Sequence, residues 1–306
     1  MFDIARGSMR GRLKLGVLRT PRNALYAAAV SLVGLVATGV IGLLSPMGHR
    51  FDALTLHGFT GLYRPRLAPA IELVMQVGNP PVYALLGALL AGVAVRRGRP
   101  LLAVAVVGIL FASEGTTELL KPLLGGARPP DWVEGGWAIG QASWPSGHAT
   151  AAISLSMCAI LVTPSHLRHI TATVGGLLSI TVGYALVVTA AHLASDVIGA
   201  VFVSAFWTAA ALALLWRRHH GVTRRPVVAS VKSAIPLAVM GGLAAIAMLA
   251  ALATRPQAVA RYLPSHAVFL CGALAVASAV ALALTALTHM TSGFEDRLDT
   301  GPRIPA

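Results

Sequence analysis

Long apolar runs, separated by short polar or basic segments, dominate the pattern of the chain. Because a helix needs about 20 mainly apolar residues to cross a bilayer, these runs predict membrane-spanning helices. We place eight such spans on the sequence, at 24–45, 68–95, 101–121, 146–163, 170–189, 196–216, 233–253 and 265–289. The predicted fold class is therefore all-α, a polytopic membrane helix bundle.

The segments around and within these spans carry local predictions. Residues 51–63 have the mixed composition of a short interfacial helix. Inside the second span, Gly78-Asn79-Pro80-Pro81 predicts a kink or break, because proline donates no backbone hydrogen bond. The basic leader 1–23 precedes an apolar run too long for a cleaved signal sequence, so we expect it to stay in the cytoplasm. The tail 291–306 is expected to be disordered.

Composition supports a membrane protein and indicates its orientation. The chain is 56% hydrophobic and only 11% charged, unlike a soluble domain. Its formal net charge of +13 comes from short basic clusters between apolar runs, without interleaved aromatics. This distribution argues against nucleic-acid binding and follows the positive-inside rule, with both termini cytoplasmic in the cell membrane. Cys158 and Cys271 lie within apolar runs and are expected to be buried free thiols.

The third span contains ionisable residues, which are costly in a membrane and are therefore functional candidates. Glu114 and Glu118 stand one helical turn apart, and Lys121 follows. The alternative is that Glu118 and Lys121 simply form an ion pair near the helix end. The polar connection after this span contains three tryptophans, for which an interfacial belt is favoured over stacking on a substrate. They are Trp132, Trp137 and Trp144.

Two segments far apart in sequence bring polar residues to the same predicted, extracytoplasmic side of the membrane. The first, 121–148, contains Lys121, Arg128, Ser146, Gly147 and His148, and the second contains His192 and Asp196. Cations, a serine hydroxyl and the amides at a helix start are suited to hold phosphate. Two histidines, one paired with a carboxylate, are suited to attack phosphorus and to transfer a proton.

Each of these groups alone has an ordinary structural explanation, as a topogenic anchor, a helix start or a structural pair. Their order and spacing nevertheless resemble the three-part signature of the type 2 phosphatidic acid phosphatase superfamily, which includes lipid phosphate phosphatases and relatives of vanadium haloperoxidases. The resemblance covers roughly 50–215. It implies that Lys121, Arg128, Ser146 and Gly147 bind phosphate, with no metal or cofactor. It also implies that His148 is the acid and base, His192 the nucleophile and Asp196 the residue that orients it.

One departure from this family affects phosphate binding. Its third block normally begins with Ser-Arg, but Ala185 and Leu186 occupy those positions here. Losing one charge-assisted contact costs about 1.5–3 kcal/mol if nothing replaces it. Three explanations are open: the substrate needs less charge neutralisation, the site is a weakened phosphatase, or another cation compensates. The candidates for that cation are Arg64, Arg66 and Arg255.

The resemblance implies an integral membrane lipid phosphatase that acts on a polyprenyl diphosphate, a phosphatidate or a phosphatidylglycerol phosphate at the outer face. The alternatives are a lipid phosphotransferase and a non-catalytic lipid-phosphate binder or transporter. We expect a six-span phosphatase core at 24–216 and an extra two-span unit at 217–290. Small residues in this unit allow close helix contact, so it is a candidate homodimer surface. They are Gly241, Gly242, Ala244 and Ala245.

Overall fold

A computed structural model describes residues 21–124, 139, 142–218 and 231–291, and these residues form eleven α-helices and three short 3-10 helices, with no strand among them. The all-α prediction is confirmed. Most of the predicted leader, all but the first residue of the predicted tail, and most of the loop that contains Arg128 lie outside the described residues. The helices are α1 Pro21–Leu44, α2 Pro46–Thr60, α3 Ala68–Met75, α4 Pro80–Arg96, α5 Pro100–Leu124, α6 Gly147–Val162, α7 Arg168–Val188, α8 Ala194–Arg218, α9 Ile235–Thr254, α10 Pro256–Ser265 and α11 Ala267–Thr291.

The helix lengths make the protein a multi-pass membrane protein. In the described part of the chain, six helices are long and apolar enough to cross a membrane. The predicted second span is broken, since Pro65–Gly78 and Pro80–Arg96 meet at an angle of 56°. The expected break at the prolines is thereby confirmed. The predicted fourth span is α6, which has only 16 residues and is shorter than a full crossing.

Helix α6 lies at the centre of the bundle and packs against α4, α5, α7 and α8. Nearly all of its residues are buried, because small alanines and serines on every side let the neighbouring helices approach closely. Ser156 shows such a contact, where its Oγ donates to the Gly175 carbonyl of α7 at 3.1 Å. The start of α6 is therefore held in place by its surroundings.

Trp144 packs between helices, contrary to the predicted interfacial belt and to substrate stacking. It is 3% exposed, and its ring lies against Gly39 of α1 and Gly199 of α8. A Cβ at Gly199 would stand 2.7 Å from the indole Nε1. The two glycines thus form a slot for the indole just before α6 begins. Trp132 and Trp137 lie outside the described residues.

Helix α2 covers the region for which a short interfacial helix is predicted, but it is a packed part of the bundle. It contacts α1, α7, α8 and α11. Its Asp52, 1% exposed, accepts hydrogen bonds from the Ser195 backbone N–H at 3.0 Å and from the Ser195 Oγ at 2.5 Å. A carboxylate at the start of α8 satisfies an otherwise unpaired amide and complements the helix dipole.

The C-terminal helix α11 is joined to the earlier helices at several points. It packs against α2, α6, α7 and α8, and the Tyr184 hydroxyl of α7 donates to the Ala273 carbonyl at 2.8 Å. Near the opposite end of α7, the buried Arg168 donates from Nε to the carbonyls of Ile160 and Thr163. The same side chain donates from a terminal nitrogen to the Thr291 carbonyl.

Two details of this region differ from the predictions. Cys158 is buried as expected, but Cys271 is exposed on α11. The prediction for Cys271 is wrong because an apolar run does not distinguish a face buried in protein from a face turned outward to lipid. The amphipathic helix α10 was not predicted. It precedes α11, and none of its residues is buried.

Candidate functional site

The start of α6 is built by Ser146, which is fully buried. Its backbone is extended, and its Oγ accepts a hydrogen bond from the Ala149 N–H at 3.4 Å, so Ser146 is the N-cap of the helix. The next amides, of Gly147 and His148, stand at the positive end of the helix dipole. This is the local arrangement expected for an anion site at a helix start.

His192 lies in the turn between α7 and α8, and Asp196 lies in the first turn of α8. The connecting turn contains Ala190 with a positive φ of 54°, and the Leu186 carbonyl accepts from the His192 N–H at 3.2 Å. The Asp196 Oδ2 lies 3.2 Å from the His192 Nδ1 and accepts from the Leu193 N–H at 3.1 Å. Asp196 is fully buried. The predicted pairing of this histidine with this carboxylate is present in the structure.

Direct contacts join the three sequence-predicted blocks. The Ser146 N–H donates to the Asp196 carbonyl at 3.1 Å, which connects the second block to the third. A Cβ placed on Gly147 would stand 3.3 Å from the Lys121 Nζ, which connects the second block to the first. Six of the seven predicted site residues are therefore gathered at one end of α5, α6 and α8.

The broken span supplies a residue that was not predicted for the site. The Nε2 of His148 lies 3.3 Å from the Asn79 Oδ1. Gly78 packs directly on this histidine, since a Cβ at Gly78 would stand 2.4 Å from the His148 Cδ2. The Gly-Asn-Pro-Pro sequence signals the break, but no sequence pattern indicates that the break faces a residue so far along the chain.

The acidic residues of α5 lie beside the phosphate-binding candidates. Lys121 forms an ion pair with Glu118, and the two side chains are 24% and 59% exposed. The ion pair that was the alternative prediction is therefore present. Glu114 lies closer than Glu118 to the start of α6, with its Oε1 3.1 Å from the position of a Cβ on Gly147.

The missing arginine is not visibly replaced within the described residues. Leu186 is buried in the main apolar core. Arg64 donates to the carbonyls of Gly61 and Tyr63 in its own turn. Arg66 and Arg255 form no hydrogen bond or ion pair with a site residue in the described part of the chain. Arg128, the remaining predicted cation, lies outside the described residues.

Comparison with known proteins finds a family to which this region is similar. The PAP2 superfamily model matches residues 102–220. A similar solved structure is the first transmembrane PAP2-type phosphatidylglycerolphosphate phosphatase from Bacillus subtilis. It is 17% identical, with a TM-score of 0.44 over 63% of this chain and 95% of that chain. The search of curated proteins found no match. The match to the PAP2 superfamily model therefore spans residues 102–220, which contain all three predicted blocks.

Proposed function

We propose that the protein is a metal-independent lipid phosphatase that hydrolyses a lipid phosphomonoester or diphosphate through a phosphohistidine intermediate. The observation that carries the proposal is the meeting of the three blocks. His192 is held by Asp196 at 3.2 Å, Asp196 is bonded through its backbone to Ser146, and Gly147 adjoins Lys121. The residues that we propose as nucleophile, acid and cation therefore lie around one helix start.

In the proposed first step, His192 attacks phosphorus. Its Nδ1–H donates to the Asp196 carboxylate, which leaves a lone pair on Nε2. The Nε2–P bond forms as the bond from phosphorus to the leaving oxygen breaks, and His148 gives its proton to that oxygen. In the second step His148 takes a proton from water, whose oxygen attacks phosphorus and breaks the N–P bond. Inorganic phosphate leaves, and both histidines return to their starting forms.

The start of α6 is proposed to hold the phosphate. The Lys121 ammonium lies beside Gly147, and the Ser146 hydroxyl can donate to phosphate while it accepts from Ala149. Arg128 is proposed as a second cation. Fixed cations and amides of this kind stabilise charge on the transferring phosphoryl group without a metal ion.

An apolar groove supports a lipid as the substrate. It lies between α4, α6 and α7, has a volume of about 460 Å³, and begins at Val77, next to the glycine that packs on His148. We propose that the hydrocarbon tail occupies this groove while the headgroup enters the site. Polyprenyl diphosphate, phosphatidate and phosphatidylglycerol phosphate are the candidate substrates.

The test is release of inorganic phosphate from a panel of these lipids by purified protein in detergent micelles. His192→Ala should reduce release to background, and His148→Ala should reduce it by about 10²–10⁴-fold. His166→Ala is the matched control, because that histidine is exposed at the turn before α7, and it should leave release unchanged. Radiolabelled substrate should leave acid-labile label on wild-type protein and none on His192→Ala.

The same experiment separates the two alternatives. A phosphotransferase would deliver the label to an acceptor alcohol instead of releasing free phosphate. A lipid-phosphate binder or transporter would bind or move lipid equally well with alanine in place of His192. Either result would replace the phosphatase proposal.

The cellular placement is also proposed. Both termini are assigned to the cytoplasm and the site to the outer face of the cell membrane, as the distribution of basic residues favours. We also propose a core at 24–216 and a two-span unit at 217–290. On α9, Gly241 and Gly242 have open space around them, which leaves this helix accessible to lipid or to a second copy of the chain.

A further inference from the structure

Glu114 places a carboxylate where the proposed function puts the phosphate. It lies on α5, with its Oε1 3.1 Å from the position that a Cβ on Gly147 would take. The Lys121 Nζ lies 3.3 Å from the same point. A carboxylate and an ammonium group therefore lie together beside Gly147, the first residue of α6.

The other oxygen of Glu114 has an unsatisfied hydrogen-bonding capacity. Its Oε2 is buried and has no hydrogen-bond partner among the described residues. Glu118, one turn later, differs in both respects, because it is exposed and ion-paired to Lys121. Leaving a buried acceptor unpaired is costly, and more so when the group is charged. Packing of the bundle does not explain this arrangement.

Phosphate binding does not explain it either. A carboxylate next to a phosphate group is repelled by it, and the site already lacks the family arginine at Leu186. A hydrogen-bond donor on the substrate, close to its phosphate, resolves both difficulties. Such a donor satisfies the carboxylate, and it separates the two negative groups.

Building on the proposed phosphatase function, we propose that Glu114 determines substrate specificity by accepting a hydrogen bond from a hydroxyl or ammonium group of the headgroup. The substrates are then lipid phosphates whose headgroup carries such a donor near the phosphate. A lipid without the donor leaves the carboxylate unpaired when water is displaced. Sites built to bond a substrate hydroxyl discriminate strongly against analogues that lack it.

The test compares lipids that differ in one group. Phosphatidylglycerol phosphate has a free central hydroxyl on the glycerol that bears the terminal phosphate. One analogue has hydrogen in place of this hydroxyl, and another has an amine. Wild type should turn over the hydroxyl lipid with a kcat/KM about 10- to 100-fold above that for the hydrogen analogue. The amine analogue shows whether an ammonium group serves as well as a hydroxyl.

The variants are Glu114→Met, which removes the acceptor at similar length, and Glu118→Met as the matched control on the same helix. Glu114→Met should bring the ratio of the two kcat/KM values to within about twofold, partly by raising turnover of the hydrogen analogue. Glu118→Met should change both substrates by the same factor. Glu114→Gln keeps one acceptor and has the same shape, so it should give an intermediate ratio of the two kcat/KM values. This variant replaces Glu114→Met in the test if Glu114→Met does not fold.

The inference is overturned if Glu114→Met and Glu114→Gln keep the wild-type ratio of kcat/KM values for the hydroxyl and hydrogen lipids. It is also overturned if the wild-type protein does not prefer the hydroxyl lipid. Failure of the phosphatase proposal looks different, because wild type then releases no phosphate from any of the lipids. In that case, binding of non-hydrolysable phosphonate analogues with and without the hydroxyl is compared. The measure is the rise in the protein's unfolding temperature that each analogue causes. The inference is supported if the wild-type protein binds the hydroxyl analogue more tightly and Glu114→Met removes this difference. It is overturned if the wild-type protein shows no such difference or if Glu114→Met keeps it.

Discussion

Gly78→Ala tests whether the broken span positions His148. A Cβ at this position would stand 2.4 Å from the His148 Cδ2, 2.6 Å from its Cγ and 2.8 Å from its Cα. Carbon atoms normally approach to about 3.5–4.0 Å, so either the turn or the histidine must move by about 1 Å. Overpacking of this size costs about 1–3 kcal/mol of stability. A displacement of about 1 Å at a reacting group can reduce turnover about 10²-fold.

The expected result is a kcat about 100-fold below wild type, with a smaller change in KM, in a lipid phosphatase assay. Gly92→Ala is the control, because it lies on the adjoining α4 and a Cβ there meets nothing within 4 Å. It should keep wild-type kcat and be neutral or slightly stabilising, as alanine favours helix over glycine by up to about 1 kcal/mol. A wild-type kcat in Gly78→Ala would refute the idea that this contact holds His148 in its working position.

Three further predictions concern single contacts. Asp196→Asn should lower kcat by at least about 10²-fold with little change in KM, because the asparagine amide does not stabilise a charged His192 as the carboxylate does. Steady-state kinetics on a lipid phosphate measure this, and an unchanged kcat contradicts the prediction. Asp52→Ala should lower the free energy of unfolding by about 1–3 kcal/mol, since the backbone amide and hydroxyl of Ser195 lose this buried acceptor. Denaturation in detergent measures the loss, and Asp52→Asn should lose less. Tyr184→Phe should cost about 0.5–1.5 kcal/mol through the lost bond to α11 and leave turnover unchanged.

The helices and the three blocks could be predicted because their signals are local. Span lengths follow from apolar runs, and the break before α4 follows from the two prolines. His192 and Asp196 are four residues apart, so their contact needs only the start of one helix. The resemblance of all three blocks to one family added the expectation that they meet.

Other contacts depend on tertiary packing that no local pattern contains. Asn79 and His148 are brought together only because the break in the second span is held against the start of α6. Trp144 is buried because Gly39 and Gly199, on two different helices, both lack a side chain at the same level. A tryptophan next to a predicted span end is typical of an interfacial belt, so the sequence favoured the wrong environment.

The three-way attachment of Arg168 bears on how much of this chain can be cut away. Its guanidinium donates hydrogen bonds to a carbonyl of α6, to a carbonyl of the turn before α7 and to the carbonyl of the last residue of α11. A shortened protein that stopped at residue 216 would lack the Thr291 carbonyl, and the buried guanidinium would lose that acceptor. Minimal versions of the protein should therefore keep the final helix α11.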